Sequence, residues 1–102
     1  MSDIGRPRKL LERRILEGAG NTSPSDRRSA FNNSGLGEPL AALVDKVARQ
    51  AYRVTDEDIT ATKMSGFSED QVFEIVVCAA IGETARLCDT ALAALAAATG
   101  KE

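Results

Sequence analysis

The side chains in this chain with chemistry to offer are few: the two cysteines, Cys78 and Cys88, and Glu74, four residues before the first of them. Helical spacing puts Glu74 and Cys78 on one face, where a carboxylate could serve as base for a thiol. Electrostatics opposes that pairing. A neighbouring negative charge disfavours the thiolate, and apolar surroundings raise the thiol further, so Cys78 reads as a packing cysteine. Cys88 sits between Arg86 and Asp89, whose charges largely cancel, and is the better candidate nucleophile. If the chain performs redox chemistry, the catalytic residues are expected among Cys88, Cys78 and Glu74. The two cysteines lie about 15 Å apart along one helix, too far to bridge each other within it. They are reduced thiols, or they meet thiols of another chain.

Histidine is absent altogether. That removes Ser-His-Asp and Cys-His nucleophile systems, imidazole acid–base catalysis and histidine metal sites. Two cysteines alone cannot complete a structural zinc site, so neither metal nor cofactor is expected. The lone tyrosine, Tyr52, reads as a packed ring with a satisfied hydroxyl rather than an acid–base group. Asp56, Glu57 and Asp58 cluster like a cation site, but they occupy the start of a helix, where acids ordinarily complement the dipole.

At 102 residues and a net charge of −2, the chain is one small domain. The mild acidity argues against a dedicated nucleic-acid binder. Arg6, Arg8, Lys9, Arg13 and Arg14 do crowd one N-terminal segment. Glu12 and Glu17 dilute them, which favours a solvated face or a docking arm for an acidic partner. No apolar run approaches the length of a membrane span, and no apolar segment follows the early basic residues as a secretory signal would. A cytoplasmic location is expected.

The elements that position these residues read as all helical. Met1–Gly5 is expected to be disordered, with a first helix from Pro7 to about Glu17 carrying Leu10, Leu11, Ile15 and Leu16 on one side. Ser23-Pro24-Ser25-Asp26 starts a second, short helix that ends in Asn32-Asn33-Ser34-Gly35. A boundary placed there gives an N-terminal helical arm, residues 1–36, and a compact core, residues 37–102. Pro39 opens an amphipathic third helix with Leu40, Leu43, Val44, Val47, Ala48 and Ala51 at helical spacing. Thr55 caps a fourth, with Ile59 and Met64 as core contacts and Gly66 ending it. Ser68 and Gln71 form a capping box, and Phe67 and Val72 a hydrophobic staple, at the start of the long final helix. Run unbroken from Glu69 to Ala98 this helix would be about 45 Å long, so it kinks at Gly82 or protrudes. Its second half is alanine and leucine apart from Arg86 and Asp89. A protruding face of that kind needs a partner, which predicts a homo-oligomer or a subunit of a larger assembly.

The segments Val54-Thr55-Asp56-Glu57-Asp58-Ile59 and Ser65-Gly66-Phe67-Ser68-Glu69-Asp70-Gln71-Val72-Phe73-Glu74-Ile75-Val76-Val77 resemble the alkylhydroperoxidase D / carboxymuconolactone decarboxylase superfamily. The resemblance covers roughly Leu40 to Ala98. It implies an all-α, oligomer-forming helical bundle with a long C-terminal helix. Redox members carry a Cys-x-x-Cys pair, a histidine four residues on and an upstream glutamate. One alignment places the cysteine pair on Ala85-Arg86-Leu87-Cys88, the histidine on Leu92 and the glutamate near Glu74. Another makes this segment the cysteine-free half of the family fold. Under either, the resolving thiol of a disulfide cycle is missing. The expectation is a non-catalytic helical domain acting as oligomeric scaffold, accessory subunit or small-ligand binder. The alternative is a thiol-dependent alkylhydroperoxidase-like antioxidant enzyme using Cys88.

Overall fold

A computed structural model describes the backbone of residues 2–100 and the side chains of residues 9–100. The fold is all-α, a small bundle of five helices: α1 (Ser2–Glu17), α2 (Pro24–Asn32), α3 (Leu40–Gln50), α4 (Asp56–Met64) and α5 (Glu69–Thr99). A single 3-10 turn, Ala51–Arg53, follows α3.

Local chemistry sets the helix starts. The Ser23 hydroxyl accepts from the Asp26 amide at 3.0 Å, and Pro24 takes the first helical position of α2. At α4, Thr55 Oγ1 accepts from the Asp58 amide while Asp58 Oδ2 accepts from the Thr55 amide. At α5, Ser68 and Gln71 make the same reciprocal pair, at 3.1 and 2.9 Å. Each closed box satisfies two amides that the helix itself cannot use. Asp58 also accepts from Lys46 Nζ at 3.0 Å, so its carboxylate ties α4 to α3.

The core is built where these helices cross. Leu40, Leu43, Val44 and Val47 of α3 meet Val72, Ile75, Cys78 and Ala79 of α5, with Ala30 of α2 fully buried between them. Ile15, Leu16, Leu36, Val54, Ile59, Phe67 and Val76 close its edges. The division drawn from sequence at residue 36 falls between α2 and α3, and across it α2 makes its broadest contact with α5.

Several sequence expectations are corrected. α1 begins at Ser2 instead of Pro7, so residues 2–5 are helical rather than a disordered end, and Met1 lies outside the described residues. Leu10 and Leu11 remain exposed, and among the described side chains of α1 it is Ile15 and Leu16, a turn later, that pack against the core. Met64 is 84% exposed rather than a core contact. In two and a half turns α4 buries Thr62 and part of Ile59, and Met64 falls outside that stripe. Tyr52 does not pack either; its ring stands 81% exposed on the 3-10 turn, under the Arg53 guanidinium at 5.9 Å.

Of the two outcomes open to α5, the structure takes protrusion. The helix passes Gly82 without interruption, and its 31 residues account for the 51 Å long axis of the molecule. The radius of gyration, 15.3 Å, exceeds the roughly 13 Å of a compact chain of this length. From Thr90 to Thr99 every residue of α5 except Ala96 is exposed. Six alanines in Thr90–Thr99 keep it helical without packing, since alanine loses least in a helix.

Candidate functional site

Glu74 is the most heavily engaged side chain in the molecule. Its carboxylate accepts from the Asn21 amide at 2.9 and 2.7 Å, the Thr22 amide at 3.0 Å, Asn21 Nδ2 at 3.1 Å and the Thr22 hydroxyl at 2.7 Å. The donors belong to the α1–α2 loop, which wraps the acid because Gly20 lets the backbone come close. A Cβ on Gly20 would lie 2.9 Å from Glu74 Oε1. Gln71 Nε2 donates to the Asn21 carbonyl at 3.1 Å, completing the clasp. Partial burial works to raise the Glu74 pKa, and the hydrogen bonds from Asn21 and Thr22 outweigh it, holding the carboxyl below its ordinary range.

That arrangement decides what Glu74 can do for Cys78. The thiol, four residues on, is 1% exposed in the core. Burial pushes its pKa up and the Glu74 charge adds to that, while Arg27 opposes them without reversing the sign. A carboxylate bound by four donor groups and kept ionised is a poor proton acceptor, and a buried thiol pushed upward is a poor nucleophile. The pair forms a latch and a packing contact.

Beside them a cleft of about 180 Å³ opens between α1 and α5. Ile15, Ala19, Phe73 and Val77 give it apolar walls, and Arg14, Arg27, Glu74 and Cys78 line the remainder. Arg27 is 4% exposed, and its Nη1 donates to the Ile15 carbonyl at 2.9 Å, fixing the end of α1 against α2. Sequence reading took the α1–α2 loop only as a helix stop and passed over Arg27. The spacing of Arg27 and Ala30 on one face of α2 was the available sign that this arginine points inward.

Cys88 lies a further ten residues along the unbroken helix, half-buried. The structure therefore brings Glu74 and Cys78 together and leaves Cys88 apart from both. Arg86, which flanks it in sequence, is committed elsewhere: Nη1 donates to the Phe31 carbonyl at 2.7 Å and Nη2 pairs with Glu83 at 3.1 Å. One turn back, Gly82 lets the α2 backbone approach α5 so closely that a Cβ would overlap the Phe31 carbonyl. The glycine serves a close crossing rather than a kink.

The outward side of α5 is the larger feature. Residues 73, 77, 80, 84, 88, 91, 95 and 98 recur at spacings of three and four, and none is charged. Phe73 is 67% exposed and Leu95 59%, with Leu87 and Leu92 exposed on the flanks. The charged residues of α5 lie off this face or at its start: Glu69 and Asp70 in the first turn, Glu74 under the loop, Glu83 with Arg86, and Asp89 towards the bundle side.

Among the described residues no group of acids and cysteines is arranged to hold a metal ion, and no helix is long and apolar enough to cross a membrane. No family model, curated protein or solved structure matches this chain.

Proposed function

We propose that this protein is a non-catalytic, self-associating helical module, a scaffold or accessory subunit whose working surface is the outer face of α5. The uncharged, exposed stripe from Phe73 to Ala98 carries the reading. A helix apolar on every side belongs inside an assembly, and from Thr90 to Thr99 this one carries no charge and is exposed at every residue but Ala96. The chemistry of the cysteines supports the same conclusion, since the buried Cys78 is pushed away from the thiolate and lies ten residues along the same helix from Cys88, too far to resolve it. The likeness of residues 54–77 to the alkylhydroperoxidase D-like superfamily agrees with an oligomeric bundle.

Size-exclusion chromatography with light scattering, run from low micromolar to near-millimolar protein, tests this reading. A mass that rises to a multiple of the 10.8 kDa chain is expected. A constant monomer mass across the range refutes it. One observation favours a second reading: Cys88, unlike Cys78, keeps access to solvent. A thiol peroxidase working through Cys88, with its resolving thiol on another chain, would consume organic hydroperoxide in proportion to intact Cys88.

A further inference from the structure

Resting on self-association as proposed above, we infer that two copies pair through α5 in an antiparallel, two-fold arrangement, with Leu95 of each seated beside Phe73 of the other. The α5 face is self-complementary about its middle. Phe73 and Leu95, its two exposed anchors, lie eleven residues on either side of Thr84. That is about 16 Å each way along the helix axis. Turning one copy about an axis through Thr84 brings Leu95 onto Phe73, Ala91 onto Val77 and Cys88 onto Ala80, twice over. Each copy then offers both halves of one closed, isologous contact.

The two halves also differ in shape in the way such a pairing needs. The N-terminal half carries a depression, the 180 Å³ cleft walled by Ile15, Ala19, Phe73 and Val77. The C-terminal half carries knobs, Leu92 and Leu95, 43% and 59% exposed on the protruding end of α5. A leucine entering that cleft is a knob meeting a hole. Small residues at Ala80, Thr84 and Ala91 let the two backbones approach between the anchors. A parallel pairing would set knob against knob and leave both clefts open.

The area fits a weak contact. From Phe73 to Leu95, the span that the two-fold overlays, the face is about 33 Å long, and two-fifths of the girth of a helix about 11 Å across is about 14 Å. The product, about 460 Å² on each copy, gives a total of about 900 Å², the size of a transient interface. An interface of this size belongs with transient contacts rather than obligate ones. No like charges oppose each other along the stripe, so nothing repels the two copies in this register.

Single cysteines introduced at exposed positions test the arrangement, in a Cys88→Ser background with the buried Cys78 left in place. Phe73→Cys and Leu95→Cys proteins are treated with a short bis-maleimide, each alone and then as an equal mixture. Covalent dimer is expected in the mixture and only there, and Thr84→Cys, on the axis, is expected to cross-link with itself. Cross-linking of Phe73→Cys alone and Leu95→Cys alone would overturn the antiparallel geometry and leave self-association standing. No cross-link with any of them, at concentrations where light scattering reports dimer, would place the contact elsewhere and overturn the inference. A monomer by light scattering removes both this inference and the reading beneath it.

Discussion

Replacing Gly82 with alanine separates two physical accounts of α5 by the sign of the result. In an exposed helix the change stabilises by about 1 kcal/mol, because alanine restores helix propensity and glycine pays the most backbone entropy. Here the new methyl would overlap the Phe31 carbonyl oxygen, with the carbonyl carbon at 2.7 Å and the Phe31 Cα at 2.9 Å. Carbon atoms in contact prefer about 3.5–4.0 Å, so α2 must recede by about 1 Å. Neither helix backbone yields as a flexible side chain would, and overpacking of this kind costs about 1–3 kcal/mol. The recession also stretches the 2.7 Å hydrogen bond from Arg86 to the Phe31 carbonyl, at a further cost of about 1 kcal/mol. Set against the propensity gain, the net expectation is a loss of about 1–3 kcal/mol. Urea denaturation followed by far-ultraviolet circular dichroism measures it, as a lower midpoint with an unchanged slope. Ala93→Gly, exposed on the same helix and off the Phe73-to-Ala98 stripe, is the control and should cost about 1 kcal/mol from propensity alone. If Gly82→Ala instead raised stability by about 1 kcal/mol, the close crossing of α2 and α5 would be refuted.

Glu74→Ala frees the α1–α2 loop from α5 and should cost about 2 kcal/mol after allowing for solvent at the loop, a fall in Tm of about 10–15 °C by calorimetry. Because the folded Glu74 pKa is depressed, its contribution is complete above its ordinary value near 4.5 and is lost as pH falls through the lower folded value. Wild-type stability should therefore decline with acid in that window more steeply than that of Glu74→Gln, and parallel curves would remove the latch. Ser68→Ala opens the box at the start of α5 and should cost about 1 kcal/mol in the same urea assay. Under native conditions a maleimide should label Cys88 well before Cys78, read by peptide mass after proteolysis; equal rates would mean that Cys78 is not held in the core.

The helices were legible because their punctuation is local. Ser23-Pro24, the Thr55 cap, the Ser68-to-Gln71 box and the stripe from Leu40 to Val47 act within a turn or two, and each appears in the structure where the sequence set it. The start of α1 was missed because Pro7 was read as a first-turn residue, whereas it lies at the sixth position of the helix. Met64 and Tyr52 were misjudged for a different reason. Apolar or aromatic character predicts burial only when the element is long enough to turn that residue inward, and neither a nine-residue helix nor a three-residue turn does so. The clasp on Glu74 joins residues more than fifty apart in sequence, so nothing in its own helix announced Asn21 and Thr22. Gly82 drew attention correctly and was given the wrong task. A glycine within a helix can mark a bend or a close approach, and only the position of Phe31 distinguishes them.

Sedimentation equilibrium of wild type beside Leu95→Glu tests the central claim most directly. Leu95 is 59% exposed and outside the buried core, so the substitution should leave the fold intact, and circular dichroism verifies that. Wild type should sediment as a monomer–dimer equilibrium in the micromolar range. Leu95→Glu buries a charge in both halves of the contact and should weaken association about a hundredfold or more. Wild type that stays monomeric throughout, or a Leu95→Glu protein that associates as tightly as wild type, would contradict a working surface on the outer face of α5.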